Sequence, residues 1–69
     1  MTALLERLIA ALPSDLRDVV VLSTVEELTS GEISQALGIP EGSVRTRMLR
    51  AKELLRAKLS VLLEPKHGR

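Results

Sequence analysis

"LTSGEISQALGIPEGSVRTRM", residues 28–48, holds two helix starts and one helix stop. Thr29 followed three residues later by Glu32 has the spacing of a capping box, in which each side chain accepts a hydrogen bond from the other residue's amide. Leu28 and Ile33 flank it where a hydrophobic staple belongs. The helix that starts there carries Ile33, Ala36 and Leu37 inward and stops at Gly38, the residue that most easily takes the left-handed conformation past a helix end. Ile39 then covers the core, Pro40 redirects the chain, and a further helix starts near Glu41. A short helix, a tight glycine turn and a second helix form a helix-turn-helix pattern.

Outward from that stretch every segment reads as helix. The last helix runs from about Glu41 to about Leu63, where Pro65 ends it. At about 100° per residue, Val44, Met48, Ala51, Leu55 and Leu62 fall within about 40° of one line, which is the core face. Arg45, Thr46, Leu49, Arg50 and Glu53 lie opposite, spread over about 140°, and Arg47 sits about 60° from the core line. Leu49 is therefore expected to point outward beside two arginines. Upstream, Leu4, Leu5, Leu8, Ile9 and Leu12 recur at helical spacing, predicting a first helix over about residues 2–12 that Pro13 stops. Pro13 equally suits the start of the next helix, where Asp15 and Asp18 complement the dipole. Leu16, Val19, Val20 and Ser23 mark the inner face of this second helix, which ends near residues 24–26. Its "VVVL" run is β-prone in isolation, but the flanking period is helical and no partner strand is visible. The expected fold is all-α, a four-helix domain containing a helix-turn-helix over residues 1–64, with 65–69 as a flexible tail.

Composition narrows the chemistry. The 69 residues include no cysteine, which excludes disulfides and thiolate metal sites, and the single His67 cannot build a metal site alone. There is no Phe, Tyr or Trp, which weighs against single-strand modules that stack bases on aromatic rings. Residues 1–40 carry two cations against six anions, whereas residues 41–69 carry eight against three, so a net charge of +1 conceals halves of −4 and +5. The second half attracts a polyanion that the first repels. The amino-terminal stretch has Glu6 and Arg7 inside its apolar run and no small-residue cleavage pattern, so it does not read as a signal peptide. No run approaches the roughly 18 apolar residues of a membrane span, and a cytoplasmic location without membrane contact is expected. No hydroxyl is placed with histidine and carboxylate partners, no glycine-rich phosphate loop follows a strand, and Glu26 and Glu27 face different ways on a helix, so no enzyme and no cofactor are expected.

An exposed leucine among arginines suits a DNA major groove. Apolar side chains there meet thymine methyls, arginines reach guanine O6 and N7, and short hydroxyls serve bases or phosphates. The second helix of such a motif docks its first turns on base edges, where Arg45, Thr46, Leu49 and Arg50 lie. Ser43 and the first backbone amides of that helix are placed for a phosphate.

These residues carry a resemblance. "LPSDLRDVVVLSTVEELTSGEISQALGIPEGSVRTRMLRAKELLRAKL", residues 12–59, resembles region 4 of bacterial sigma factors, especially the extracytoplasmic-function group. The marks are "LP" followed by an arginine and an aliphatic run, the first motif helix, and "PEGSVRTR", which fits the family's Pro-x-Gly-[Ser/Thr]-Val-[Lys/Arg]-[Ser/Thr]-Arg pattern. The resemblance extends over about Leu5 to Leu59. It implies a four-helix domain, of the winged-helix-like, sigma region 4 type, whose last helix reads the −35 promoter element. It also implies docking on the β flap of RNA polymerase through an apolar groove of the earlier helices. Carried over by position, Ser43, Arg45, Thr46, Leu49 and Arg50 fall where the family contacts DNA, Ser30 falls where the first motif helix touches the backbone, and Arg47 reads as structural or phosphate-facing. The chain departs from many relatives at Ser30 and Gly31, where an aromatic or acidic pair is common, and at Leu49, where an aromatic or histidine is. Both departures imply an altered DNA preference or weaker phosphate contact. The −10-reading domain of the family has no counterpart in these residues, so this chain by itself is not expected to initiate transcription.

Two other readings share the same residues. A stand-alone helix-turn-helix regulator would dimerise, using the apolar stripe that Leu59, Leu62 and Leu63 extend. A sigma-like protein-binding module would engage an anti-sigma factor or the polymerase flap without DNA. The resemblance favours a monomer.

Overall fold

A computed structural model of the protein describes residues 2–63, and among these residues it contains four helices and no strand. They are α1 (Thr2–Ala10), α2 (Ser14–Thr24), α3 (Ser30–Leu37) and α4 (Glu41–Leu63). The all-α expectation holds, and the α4 limits fall where the sequence placed them. The expected domain edge at residue 64 and the tail at 65–69 lie outside the described residues.

Each boundary has a local cause. α1 ends at Ala10, two residues short of the expected limit, because the Ala11 and Leu12 amides turn tightly onto Leu8 and Ile9 carbonyls at 3.2 and 3.1 Å. Leu12 is still buried, swung inward by that turn. Pro13 stands at the N-cap of α2 without a side-chain cap, and its carbonyl accepts the Leu16 and Arg17 amides at 3.0 and 2.8 Å. At α3 both halves of the capping box form: the Thr29 amide donates to Glu32 Oε1 at 2.8 Å and the Glu32 amide to Thr29 Oγ1 at 3.2 Å. The α2–α3 reversal runs through Glu27 at φ 59°, with the Leu28 amide reaching back to the Leu22 carbonyl at 2.9 Å. A left-handed residue with a side chain is disfavoured by roughly 1–2 kcal/mol, and no glycine marks this turn in the sequence.

The core is one cluster of Leu12, Leu16, Val19, Val20, Ile33, Val44 and Ala51, with Ile9, Leu22, Leu28, Leu37, Ile39, Met48 and Leu55 packed around it. The β-prone valines are helical, as the surrounding period required, and bury Val19 and Val20 against the rest of the cluster. α2 packs most extensively on α4, with α3 next. No polar or charged residue is buried among the described residues, so the thin core is purely apolar.

Two inward assignments fail. Ala36 is exposed, because α3 is only eight residues long and its single buried position is Ile33. Leu62, which shares the angular line of Val44, is 55% exposed, because α4 outruns the helices that cover it. Helical angle decides which way a side chain points; it does not decide whether anything lies there.

The turn between α3 and α4 is held by Ser34. Its carbonyl accepts the Gly38 and Ile39 amides at 2.9 and 3.1 Å, and its hydroxyl donates to the Ile39 carbonyl. Gly38 takes φ 69°, and a Cβ there would meet nothing within 4 Å. Gly38→Ala is therefore expected to destabilise through backbone conformation alone, by about 1 kcal/mol. Thr29→Ala, which removes the cap, is expected to cost about the same. Urea denaturation checks both; a loss above about 3 kcal/mol for Gly38→Ala would show a packing role that the open space denies.

Candidate nucleic-acid interface

The rotation of α4 about its own axis decides what it shows to solvent. Val44 and Ala51, two turns apart, are fully buried at 0% exposure. That pins one line of the helix to the core, and about 100° per residue then carries Leu49 to roughly 140° from it. Leu49 is 59% exposed, and Arg45, Thr46 and Arg50 around it are exposed as well. The outward leucine among arginines is real.

The expected contact residues do not form a single patch. They divide into two clefts on either flank of α4. The first, about 500 Å³, is lined by Ser30, Arg45 and Leu49 together with Ser23, Met48 and Lys52, over a floor that includes Leu28 and Ile33. The second, about 340 Å³, is lined by Gly42, Ser43, Thr46, Arg47 and Arg50, with Asp15 from the start of α2. The crest between them carries Thr46 and Leu49. Ser30, Ser43 and Arg47 are half-buried at the feet of these clefts. Arg47 lines the second cleft, so the angle that set it apart from the crest placed it where the chain meets α2.

Two hydrogen bonds refine the chemistry of the crest. Thr46 Oγ1 donates to the Gly42 carbonyl at 3.0 Å. With its proton engaged by its own helix, the hydroxyl offers outward only acceptor lone pairs and a methyl group. Arg45 Nη2 donates to Glu41 Oε1 at 3.0 Å, an exposed pair one turn apart. Such pairs contribute about 0.3–0.5 kcal/mol, so the arginine is oriented without being locked.

Two charged residues that line these clefts, Lys52 and Asp15, escaped the sequence reading. Lys52 stands about 80° from Val44 on the helical wheel, next to Arg45, and that angle was a usable signal. Asp15 reads from the sequence only as a complement to the α2 dipole; nothing in its local sequence shows that the packing of α2 on α4 sets it in one cleft with Arg47 and Arg50. Among the described residues no group of three acidic, histidine or cysteine side chains could hold a metal. No helix there is long and apolar enough to cross a membrane.

A second surface feature lies at the other end of α4. Leu8 of α1 with Ala57, Lys58, Val61 and Leu62 of α4 line a largely apolar groove of about 450 Å³. Leu4, Leu5 and Leu54 are exposed as well.

Comparison with known proteins places this arrangement. Residues 2–55 match the family described as Sigma-70, region 4. The chain is 42% identical over 55 residues to the ECF RNA polymerase sigma factor SigW of Bacillus subtilis (strain 168), an alignment covering 80% of this chain and 29% of that protein. It is 35% identical over 52 residues to the ECF RNA polymerase sigma-E factor of Haemophilus influenzae, covering 75% of this chain and 28% of the relative. With the sigma-E factor of Escherichia coli (strain K12) the identity is 37% over 57 residues, covering 83% and 30%. The chain thus spans less than a third of the length of these relatives. A helix-turn-helix held by its capping box and Ser34 turn, in a chain matched from α1 into α4, belongs to the sigma-70 region 4 family, in the extracytoplasmic-function group of sigma factors.

Proposed function

We propose that this chain reads the −35 element of promoter DNA, with the first three turns of α4 in the major groove, and that it does so as part of a sigma factor bound to RNA polymerase. The observation that carries the reading is the exposed crest of α4, an aliphatic tip between arginines with a cationic cleft on each flank. A helix seated in a major groove has a phosphate strand on either side of it. Ser30 and Lys52 are placed to meet one strand, and Ser43 and Arg47 the other, while Arg45, Thr46, Leu49 and Arg50 face base edges. Thr46, as an acceptor, suits the amino group of adenine or cytosine, and Leu49 suits a thymine methyl. Asp15 lines the second cleft, where it opposes a phosphate entering deeply. Catalysis has no part in this reading, and the location that fits it is the cytoplasm.

The groove between α1 and the far end of α4 is the docking surface for the polymerase β flap in this reading. Its apolar lining and the family membership support it. The same groove, with Val61 77% exposed, is what a dimeric stand-alone regulator would use. Sedimentation equilibrium separates the two: a monomer is expected, and a stable dimer would favour the regulator.

One module of this size covers little DNA, so the isolated chain should bind weakly and with strong salt dependence. Fluorescence anisotropy on duplexes selected from a random pool is expected to show a loss of about 1–3 kcal/mol for Arg50→Ala, with relaxed base preference at one position. Unchanged binding and salt slope would favour a module that engages only proteins. Leu49→Ala is expected to reduce the ratio of selected to scrambled affinity more than it reduces scrambled affinity itself; an equal loss on both duplexes would refute a base-contacting role. Val61→Glu is expected to weaken binding to polymerase core at least tenfold while leaving duplex affinity within twofold, because it sets a charge in the apolar groove about 20 Å along α4 from the crest. A pull-down with core enzyme checks it.

A further inference from the structure

The DNA-facing turns of α4, residues 41–50, hold three arginines and one acid, Glu41. An acid in the first turn of a helix suits the dipole, and its pairing with Arg45 one turn on is ordinary helix chemistry. Neither explains its consequence at a polyanion surface. Glu41 Oε1 takes the Arg45 guanidinium at 3.0 Å, while Oε2 lies against the first turn of α3, 3.1 Å from where a Cβ on Gly31 would stand. The carboxylate is thus lodged between the two motif helices and holds Arg45, which lines one cleft with Ser30 and Lys52. It is half-exposed, so an incoming ligand meets it.

An arginine fork accepts two partners of the same geometry in this setting. A phosphate offers paired oxygens with a full negative charge; a guanine edge offers O6 and N7 with none. A carboxylate held beside the fork repels the first strongly and the second, which carries only partial charges, much less. Its own bond to Arg45 uses one donor of five and leaves the remaining donors free to reach a base.

We infer that Glu41 is a specificity-determining residue: its carboxylate holds Arg45 away from the phosphate backbone and leaves it available to a neutral base edge. Glu41 thereby suppresses non-specific binding more than promoter binding. The inference rests on the proposed DNA reading and deepens it.

The test is a double-mutant cycle of Glu41→Gln and Arg45→Ala, with affinities measured by anisotropy on a duplex selected by the wild-type chain and on its scrambled counterpart, across a salt series. Glu41→Gln is expected to tighten scrambled-duplex binding about two- to fivefold, to tighten selected-duplex binding less, and so to lower the ratio. The salt slope on scrambled DNA should steepen by up to about 0.9, the value of one added phosphate contact. In the Arg45→Ala background Glu41→Gln is expected to leave the ratio unchanged. An equal tightening on both duplexes would show a mere charge effect and overturn the inference, as would a fall in ratio that persists without Arg45. A wild-type chain that enriches no duplex from the pool overturns the DNA reading itself and this inference with it, whereas enrichment followed by a failed cycle sinks the role of Glu41 alone.

Discussion

The seating of Val44 and Ala51 in the core is the constraint on which the rest of the molecule depends. Both are fully buried, in one cluster with Val19, Val20 and Ile33. Two contacts in line, two turns apart, leave a helix no freedom to roll. Once α4 is fixed in rotation, the direction of every other side chain on it follows from its pitch, and the exposed crest is the geometric complement of the buried edge. Alanine at position 51 also matters by its size, since a single methyl lets the helix axes approach where a longer side chain would hold them apart.

The same constraint explains why an apolar tip persists on the most basic surface of the chain. Leu49 is not spare core material, because its angle lies roughly 140° from the dry edge and its side chain is 59% exposed. It stands on a crest with Ser30, Arg45 and Lys52 to one flank and Ser43, Arg47 and Arg50 to the other. In the proposed reading Lys52 and Arg47 on the outer flanks meet the two phosphate rows, while Arg45 and Arg50 beside the tip face the bases between them. The turn before α4 supports this by fixing where the helix begins. Ser34 closes it from both ends, accepting two amides and donating to the Ile39 carbonyl, without any contribution from the crest itself.

α4 also joins two surfaces that have little else in common. Its 23 residues span about 35 Å as a continuous helix. The arginine crest occupies its first turns and the apolar groove with α1 its last, so the two surfaces are rigidly positioned relative to each other. No hinge residue intervenes, since the helix contains neither proline nor glycine beyond Gly42.

Sequence alone determined what local chemistry determines: the capping box at Thr29 and Glu32, the glycine stop at Gly38, the limits of α4, the helical state of the valine run, the outward direction of Leu49 and the family to which these motifs point. Each depends on neighbours within about one turn or on a repeat period, and both are written along the chain. Only the tertiary structure decided what depends on segments far apart in sequence. It exposed Ala36 and Leu62, because an inward angle buries a side chain only where a partner helix packs closely over it. It divided the expected contact residues between two clefts, brought Asp15 to Arg47 and Arg50, and lodged Glu41 between Gly31 and Arg45. Helical periodicity specifies the direction of a side chain, whereas its surroundings are set by how four short helices pack into one thin core.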